Sequence, residues 1–364
     1  MPRPDRAQLQ AVIPRLGDAI LDPGLWPEIM EEICRAVDAK GAILLQSDIR
    51  TPDVPFTESI RDLYDAYFRD GWSVREYRAR GLPVLLNGTP VFTDQDFMTP
   101  DEMRAVPYYN EFVYPNRCHW FAGVGFRSGA SLWIMCLQRD TRQGLFEKHE
   151  ARMLAGLAQP LTEVATLSKA VGRMALASST NALNGVRHPA IAIDHFGLVL
   201  DANPAAEAMF DDDMRVSNRR LWLADAQARA SLEALLQHLI AGHHATAMQR
   251  SAVVVRRHGS PPVVLNALPV PDAARNPFLG ARAILALTPL QPKPRPDAGL
   301  LALAFGLTSA EAKLASILAD GTSVESAAAE LSISVETARK ELKNVFAKTG
   351  MHRQGELVAL LSRL

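Results

Sequence analysis

Residues 307–350 read LTSAEAKLASILADGTSVESAAAELSISVETARKELKNVFAKTG, and the caps, apolar steps and glycines in this run set out a chain of short helices. Thr308-Ser-Ala-Glu311 is a capping box, in which the threonine hydroxyl accepts from a first-turn amide while the glutamate reaches back. Leu314, Ile317 and Leu318 give that helix an apolar face, and Gly321 is placed to end it in a left-handed conformation. Thr322-Ser-Val-Glu325 reads as a second capping box that starts a short helix over Glu325–Leu331. Leu331-Ser-Ile-Ser334 is a tight turn with one apolar residue to bury. Ser334 then caps a third helix that reaches Thr349 and stops at Gly350. A fourth, around Gln354–Leu361, has Leu357, Val358, Leu360 and Leu361 to bury. Four helices with a short turn between the second and third make a helix-turn-helix arrangement.

The third helix has two distinct sides. At ~100° per residue, Ala338, Leu342, Val345, Phe346 and Thr349 gather on one arc that must face the core. Glu336, Lys340, Lys343, Asn344 and Ala347 lie opposite. Lysine addresses guanine acceptors and asparagine addresses adenine edges, so Lys340, Lys343 and Asn344 are the candidate base contacts. Thr337, Arg339 and Lys348, with His352 and Arg353 just beyond the helix, are the candidate phosphate contacts. Residues 335–353 carry five Lys/Arg and two Glu, a local excess of positive charge. The larger segment 299–364 balances seven Lys/Arg against seven Asp/Glu and is neutral, which is poor for a strong phosphate binder.

Over about 60 residues this region resembles the LuxR-type DNA-binding domain. Leu307-Thr308, Glu311, Gly321, Ala328, Leu331, Ile333-Ser334, Thr337, Leu342, Asn344, Phe346, Lys348 and Gly350 fall at that family's spacing. The resemblance implies that the third helix enters the major groove of double-stranded DNA and that the domain works as a homodimer on two half-sites. It also implies a transcription regulator, with RNA polymerase as a further candidate partner. Three positions depart from the family pattern: Val324, Glu325 and Ala310 stand where polar, basic or charged residues are common. Modest DNA affinity that depends on dimerisation is therefore expected. The rival reading is a signalling adaptor whose helix-turn-helix binds a protein partner.

Working upstream, Gln291-Pro-Lys-Pro-Arg-Pro296 alternates proline with polar residues and reads as an extended linker over 291–297, followed by the DNA-binding domain at 298–364. Residues 186–290 are rich in strand signals. Ala190–Ile193 and Leu198–Leu200 flank the turn Asp194-His-Phe-Gly197, Asn203-Pro204 opens a helix, and a longer helix covers about Ala228–Ala241. Ala252–Val255 and Val263–Leu265 flank a second turn, and Ala281–Leu287 closes as a strand. The run from Pro189 to Ala206 resembles the opening of a PAS domain. Residues 161–185 form a helical connector. Leu154, Leu157, Leu161, Val164, Ser168 and Val171 step by three or four, a seam that fits either a helix laid on its own domain or one paired with its twin. Pro160 either kinks this helix or starts a new one.

Residues 1–160 open with helical stretches at Gln8–Leu21 and Trp26–Asp38 and an apolar strand at Gly41–Leu45. A long hairpin, Trp120–Phe126 and Ser131–Gln138, precedes a helix over 146–158. Tyr108-Tyr-Asn-Glu-Phe112, the hairpin and Gly144-Leu-Phe146 are similar to GAF-like sensory domains. The expected fold is thus multidomain: α+β sensory domains, GAF-like then PAS-like, followed by an all-α four-helix domain.

Of 24 aromatic residues, 15 lie between Phe56 and Phe126, including all six tyrosines. Tyr64, Tyr67, Trp72, Tyr77, Tyr108, Tyr109 and Trp120 combine apolar bodies with polar tips and are the candidate lining of a small-molecule signal pocket, although an ordinary mixed core has the same composition. His238, His243 and His244 at a helix end read as solvent-facing rather than haem-binding, and Asp211-Asp-Asp213 as a solvated loop. No metal, cofactor or nucleophile–base pairing is recognisable, so no enzymatic activity is expected. The 364 residues carry a formal net charge of −1, and 48% are hydrophobic. Three widely spaced cysteines, a polar start and the lack of an apolar span point to the cytoplasm and away from a membrane.

Overall fold

The computed structural model describes residues 4–240, 252–291 and 295–361. It divides into two compact units, Met1–Pro289 and Leu290–Leu364, and is mixed α+β. Among the described residues no single helix is long and apolar enough to cross a membrane.

The N-terminal unit contains two antiparallel sheets. The first has four strands in the order β1-β4-β3-β2: β1 (Gly41–Gln46), β2 (Val91–Thr93), β3 (Trp120–Ser128) and β4 (Ser131–Arg139). The β3–β4 hairpin turns at Gly129, whose φ of +64° at the first turn residue matches the twist of the strands. Strand alternation splits this sheet between two cores. Ala42, Leu44, Met135 and Leu137 face a helical layer of α1 (Arg6–Val12), α2 (Trp26–Ala36), α6 (Lys148–Ala155) and the start of α7 (Ala158–Gly185). Ile43, Leu45, Ile134 and Cys136 face an aromatic layer around α3 (Arg61–Arg69), α4 (Leu82–Leu86), α5 (Pro100–Ala105) and a π-helical turn, Tyr108–Val113.

The second sheet runs β6-β5-β11-β10-β9, with β5 (Ala190–Asp194), β6 (Val199–Ala202), β9 (Val253–Val255), β10 (Val263–Leu268) and β11 (Ala281–Pro289). A small ribbon, β7 (Met214–Ser217) and β8 (Arg220–Leu223), accompanies it, with helices α8 (Pro204–Glu207) and α9 (Ala226–Ile240). Asn203 caps α8 by accepting from the Ala206 amide at 2.9 Å, and Gly197 takes φ +73° in the β5–β6 turn.

One helix serves both sheets. Leu161, Val164 and Ala165 of α7 lie in the core of the first sheet, while Leu176 lies against Ala192 and Ile284 of the second. Pro160 sits in the first turn of α7, after a two-residue break at Gly156-Leu157 that separates it from α6. The seam Leu154, Leu157, Leu161, Val164 and Ser168 is buried within its own unit. Sequence reasoning separates 1–160 from 186–290, but here the two regions interlock. Phe278 meets Trp26, Trp133 and Phe126 edge-on at 5.7, 5.1 and 5.9 Å, deep in the core of the first sheet. Asn276 Nδ2 donates to the Ser168 carbonyl at 3.0 Å, and a Cβ at Gly172 would lie 2.5 Å from that nitrogen, so glycine lets the loop close on the helix. Arg282 of β11 pairs with Asp53.

The C-terminal unit is all helix: α10 (Ala298–Phe305), α11 (Ser309–Leu318), α12 (Val324–Glu330), α13 (Val335–Thr349) and α14 (Gln354–Leu361). That is five described helices where four were expected. The extra one, α10, is apolar all round and carries no amphipathic period to announce it. Leu301, Leu314, Leu318, Ala328, Ala338, Leu342, Val345 and Leu357 form the core. The Thr308–Glu311 capping box is present, Ser334 accepts from the Thr337 amide at 3.0 Å, and Gly350 ends α13 at φ +71°. The second expected box is absent. Ser323 caps α12 alone, accepting from Ser326 at 3.1 Å, while Thr322 bonds Asp320 and Glu325 turns to Arg339. Arg295 reaches Asp320 at 2.9 Å and also Glu330, which fastens the end of the linker to this unit; Pro292–Pro294 lie outside the described residues.

Near the N-terminus, the helix expected over Gln8–Leu21 ends at Val12 and continues as 3₁₀ turns over Ile13–Ile20. Pro14 supplies no amide hydrogen there.

Candidate functional site

The C-terminal unit presents one face of α13. Ala338, Leu342 and Val345 are buried and Phe346 and Thr349 half-buried, which turns Glu336, Thr337, Arg339, Lys340, Lys343, Asn344, Ala347 and Lys348 outward. Among the described residues, the side chains of Lys340, Lys343 and Asn344 have no ion-pair or hydrogen-bond partner. A solvated ammonium pair and an amide thus stand free on one helical stripe.

The flanking candidates are differently placed. Lys348 Nζ donates to Glu311 Oε2 at 2.6 Å, and Glu311 is buried under it. That bond, helped by the Thr308 amide, holds the Glu311 carboxyl below the ordinary value of 4.5. Arg339 Nη2 pairs with Glu325 Oε1 at 2.9 Å on the surface. The Thr337 hydroxyl lies 2.8 Å from that of Ser334. His352 and Arg353 are exposed, and their amides donate to Glu356 at 2.8 and 3.2 Å. Two of the five expected phosphate contacts, Lys348 and Arg339, are therefore held by carboxylates of their own chain.

In the N-terminal unit a cavity of about 50 Å³ lies between the first sheet and its aromatic layer. Tyr64, Tyr67 and Tyr108 line it, with Arg50, Glu76, Arg78, Phe112, Phe121 and Gln138. The other four sequence candidates stand outside the lining. Trp72 stacks on Phe112 at 5.5 Å, Tyr77 packs on Tyr108 and Tyr109, Tyr109 donates to Asp94 at 2.8 Å, and Trp120 is half-buried at the start of β3.

The polar floor is an internal ion pair. Arg78, fully enclosed, donates Nε and Nη2 to Asp94 at 2.9 and 3.2 Å and Nη1 to Gln138 at 3.1 Å; its guanidinium lies 4.5 Å from the centre of the Phe121 ring. Tyr67 donates to Glu76 Oε2 at 2.7 Å. Burial pushes the Tyr64 phenol up to about 12 and the Cys136 thiol up to about 12, so neither ionises near neutrality. Sequence reasoning missed Arg78, because Arg75-Glu-Tyr-Arg-Ala-Arg80 looks like a solvated charge run. Gln138 carried a signal: it shares the even face of β4 with Ile134 and Cys136.

His238 is exposed and its Nδ1 contacts the Ala234 carbonyl at 2.7 Å, whereas His243 and His244 lie outside the described residues. The acidic run is less solvated than expected. Asp211 pairs with Arg257 at 3.1 Å and Asp213 with His258 at 3.1 Å, tying the loop to the segment after β9; Asp212 stays exposed.

No protein-family model matches this chain, and no curated protein matches it. Among solved structures, the crystal structure of the phage VqmA–DPO complex is similar at 18% identity, over 50% of this chain and 86% of that one, with a TM-score of 0.20.

Proposed function

We propose that this chain is a cytoplasmic, sequence-specific DNA-binding transcription regulator that acts as a homodimer and carries no enzymatic activity. Helices α11–α14 serve as a LuxR-type helix-turn-helix, with α13 as the helix that enters the major groove. The region around the first sheet serves as a GAF-like sensor, α7 as connector and the region around the second sheet as a PAS-like domain. The cavity takes a small-molecule signal, which shifts a pre-existing equilibrium of the regulator. RNA polymerase is a further partner of the DNA-bound form.

The observation that carries this reading is the free stripe of Lys340, Lys343 and Asn344. A 15-residue helix is about 22 Å long, and its width suits a major groove about 12 Å wide. In that groove, side chains without intramolecular partners are the ones able to address base edges. A titration of affinity against salt tests it, since each phosphate neutralised adds about −0.9 to the slope of log K against log salt.

The adaptor reading rests on a specific feature too. Glu325 and Glu311 hold Arg339 and Lys348, which lowers the number of cations available to phosphates. Under that reading the chain binds no DNA fragment with a slope steeper than about −1.

A further inference from the structure

We propose that the cavity beneath the first sheet binds a small apolar carboxylate, its carboxylate paired with the guanidinium of Arg50. This rests on the reading of the N-terminal unit as a sensor and names the chemistry of its ligand.

The walls are largely apolar, formed by Ile43, Leu63, Phe112 and Ile134 among others, so the body of any occupant must be apolar. The enclosed polar groups are mostly satisfied from within. Arg78 is occupied by Asp94 and Gln138, and Glu76 accepts from the Tyr67 hydroxyl and from the Arg78 amide at 3.0 Å. Arg50 is the exception. It lines the cavity, its Nε is shielded from solvent, and neither that nitrogen nor any other part of its guanidinium has a partner among the described residues. Its charge is felt inside, because it is among the groups that favour the ionised forms of Tyr67 and Cys136.

A buried guanidinium donor without an acceptor is unfavourable, and a carboxylate is the acceptor whose geometry matches it. The cavity thus presents one shielded, unmatched donor, the Arg50 Nε, among largely apolar walls, while the rest of this half-buried guanidinium stays open to solvent. An aryl or medium-chain acid supplies the missing acceptor. Its binding is non-covalent, since the Cys136 thiol is protonated at neutral pH.

Calorimetric titration of the full-length, DNA-free chain with phenylacetate and octanoate, each against its primary amide, tests this. At least one acid should bind saturably at one per chain and about tenfold or more tighter than its amide. Arg50→Gln should remove that preference, and Arg50→Lys should keep part of it. An unchanged melting temperature for unliganded Arg50→Gln shows that the fold is intact. Equal binding of acid and amide, a preference that survives in Arg50→Gln, or no saturable binding of either acid up to about 10 mM would overturn the proposal. The titration contains no DNA. A chain that takes the acid but ignores DNA would therefore refute the regulator and leave this inference standing, and the reverse outcome would do the opposite.

Discussion

Replacing Lys340 and Lys343 together by alanine should abolish selective DNA binding while leaving the fold untouched. Both side chains are exposed and have no partner among the described residues, so the loss to stability should stay within about 0.5 kcal/mol. A base contact in the major groove contributes about 1–3 kcal/mol of discrimination, so losing two from each protomer lowers preference for the site at least ~30-fold even at the low end for one half-site. The salt dependence carries a second signature. Among the described residues at or beside α13, the cations without an internal pair are Lys340, Lys343 and Arg353. Six per dimer set a ceiling of about −5 for the slope; a slope near −9 would require Arg339 and Lys348 to leave their carboxylates. If the two lysines meet phosphates instead of bases, the variant flattens the slope by about 3 to 4 and leaves sequence preference intact. Fluorescence anisotropy on a selected site at several salt concentrations reads both quantities. An affinity and a slope that are both unchanged would refute the reasoning.

Further outcomes follow from the packing. Phe278→Ala should cost about 3–5 kcal/mol, because the ring is buried among Trp26, Phe126 and Trp133, and should split denaturant unfolding of the N-terminal unit into two transitions. A single transition with an unchanged midpoint would contradict the interlock. Arg139→Met should destabilise by about 3–5 kcal/mol in urea melts, since it strips Glu150 of a bidentate partner at 3.0 and 3.1 Å inside the protein. Lys348→Met bears on acid stability. The Glu311 carboxyl is held below 4.5 in the fold, so its contribution is present above its unfolded pKa and is lost as pH falls through the lowered one. The variant should melt lower at neutral pH and show a shallower decline between about pH 5 and pH 3. An identical acid limb would place the shift elsewhere.

The parts legible in the sequence were those governed by local rules. The face of α13 follows from its 3.6-residue period, and its ends from Ser334 and Gly350. The turns at Gly129 and Gly197 follow from residues that accept positive φ between alternating strands. Contacts between residues distant in the chain left no such trace. No local pattern singles out Phe278, yet it anchors one sheet region in the core of the other. Nothing local marks Arg78 and Asp94 as buried, because a charged residue is almost never buried unless paired, and their pairing spans 16 residues. The same limit misassigned Glu325: its spacing from Thr322 fits a capping box, but Arg339 competes for the carboxylate from the facing helix. Aromatic density located the cavity region but not its lining. Three of the seven candidates reach the space and the others buttress it.

The central claim is sequence-specific recognition of DNA by the C-terminal unit, and genome-wide fragment capture with the full-length protein tests it most directly. A short two-fold-symmetric sequence should be enriched, and the enrichment should be lost in the Lys340→Ala, Lys343→Ala double variant. Absence of any shared sequence, both with the full-length chain and with residues 298–364 forced to dimerise, would contradict it.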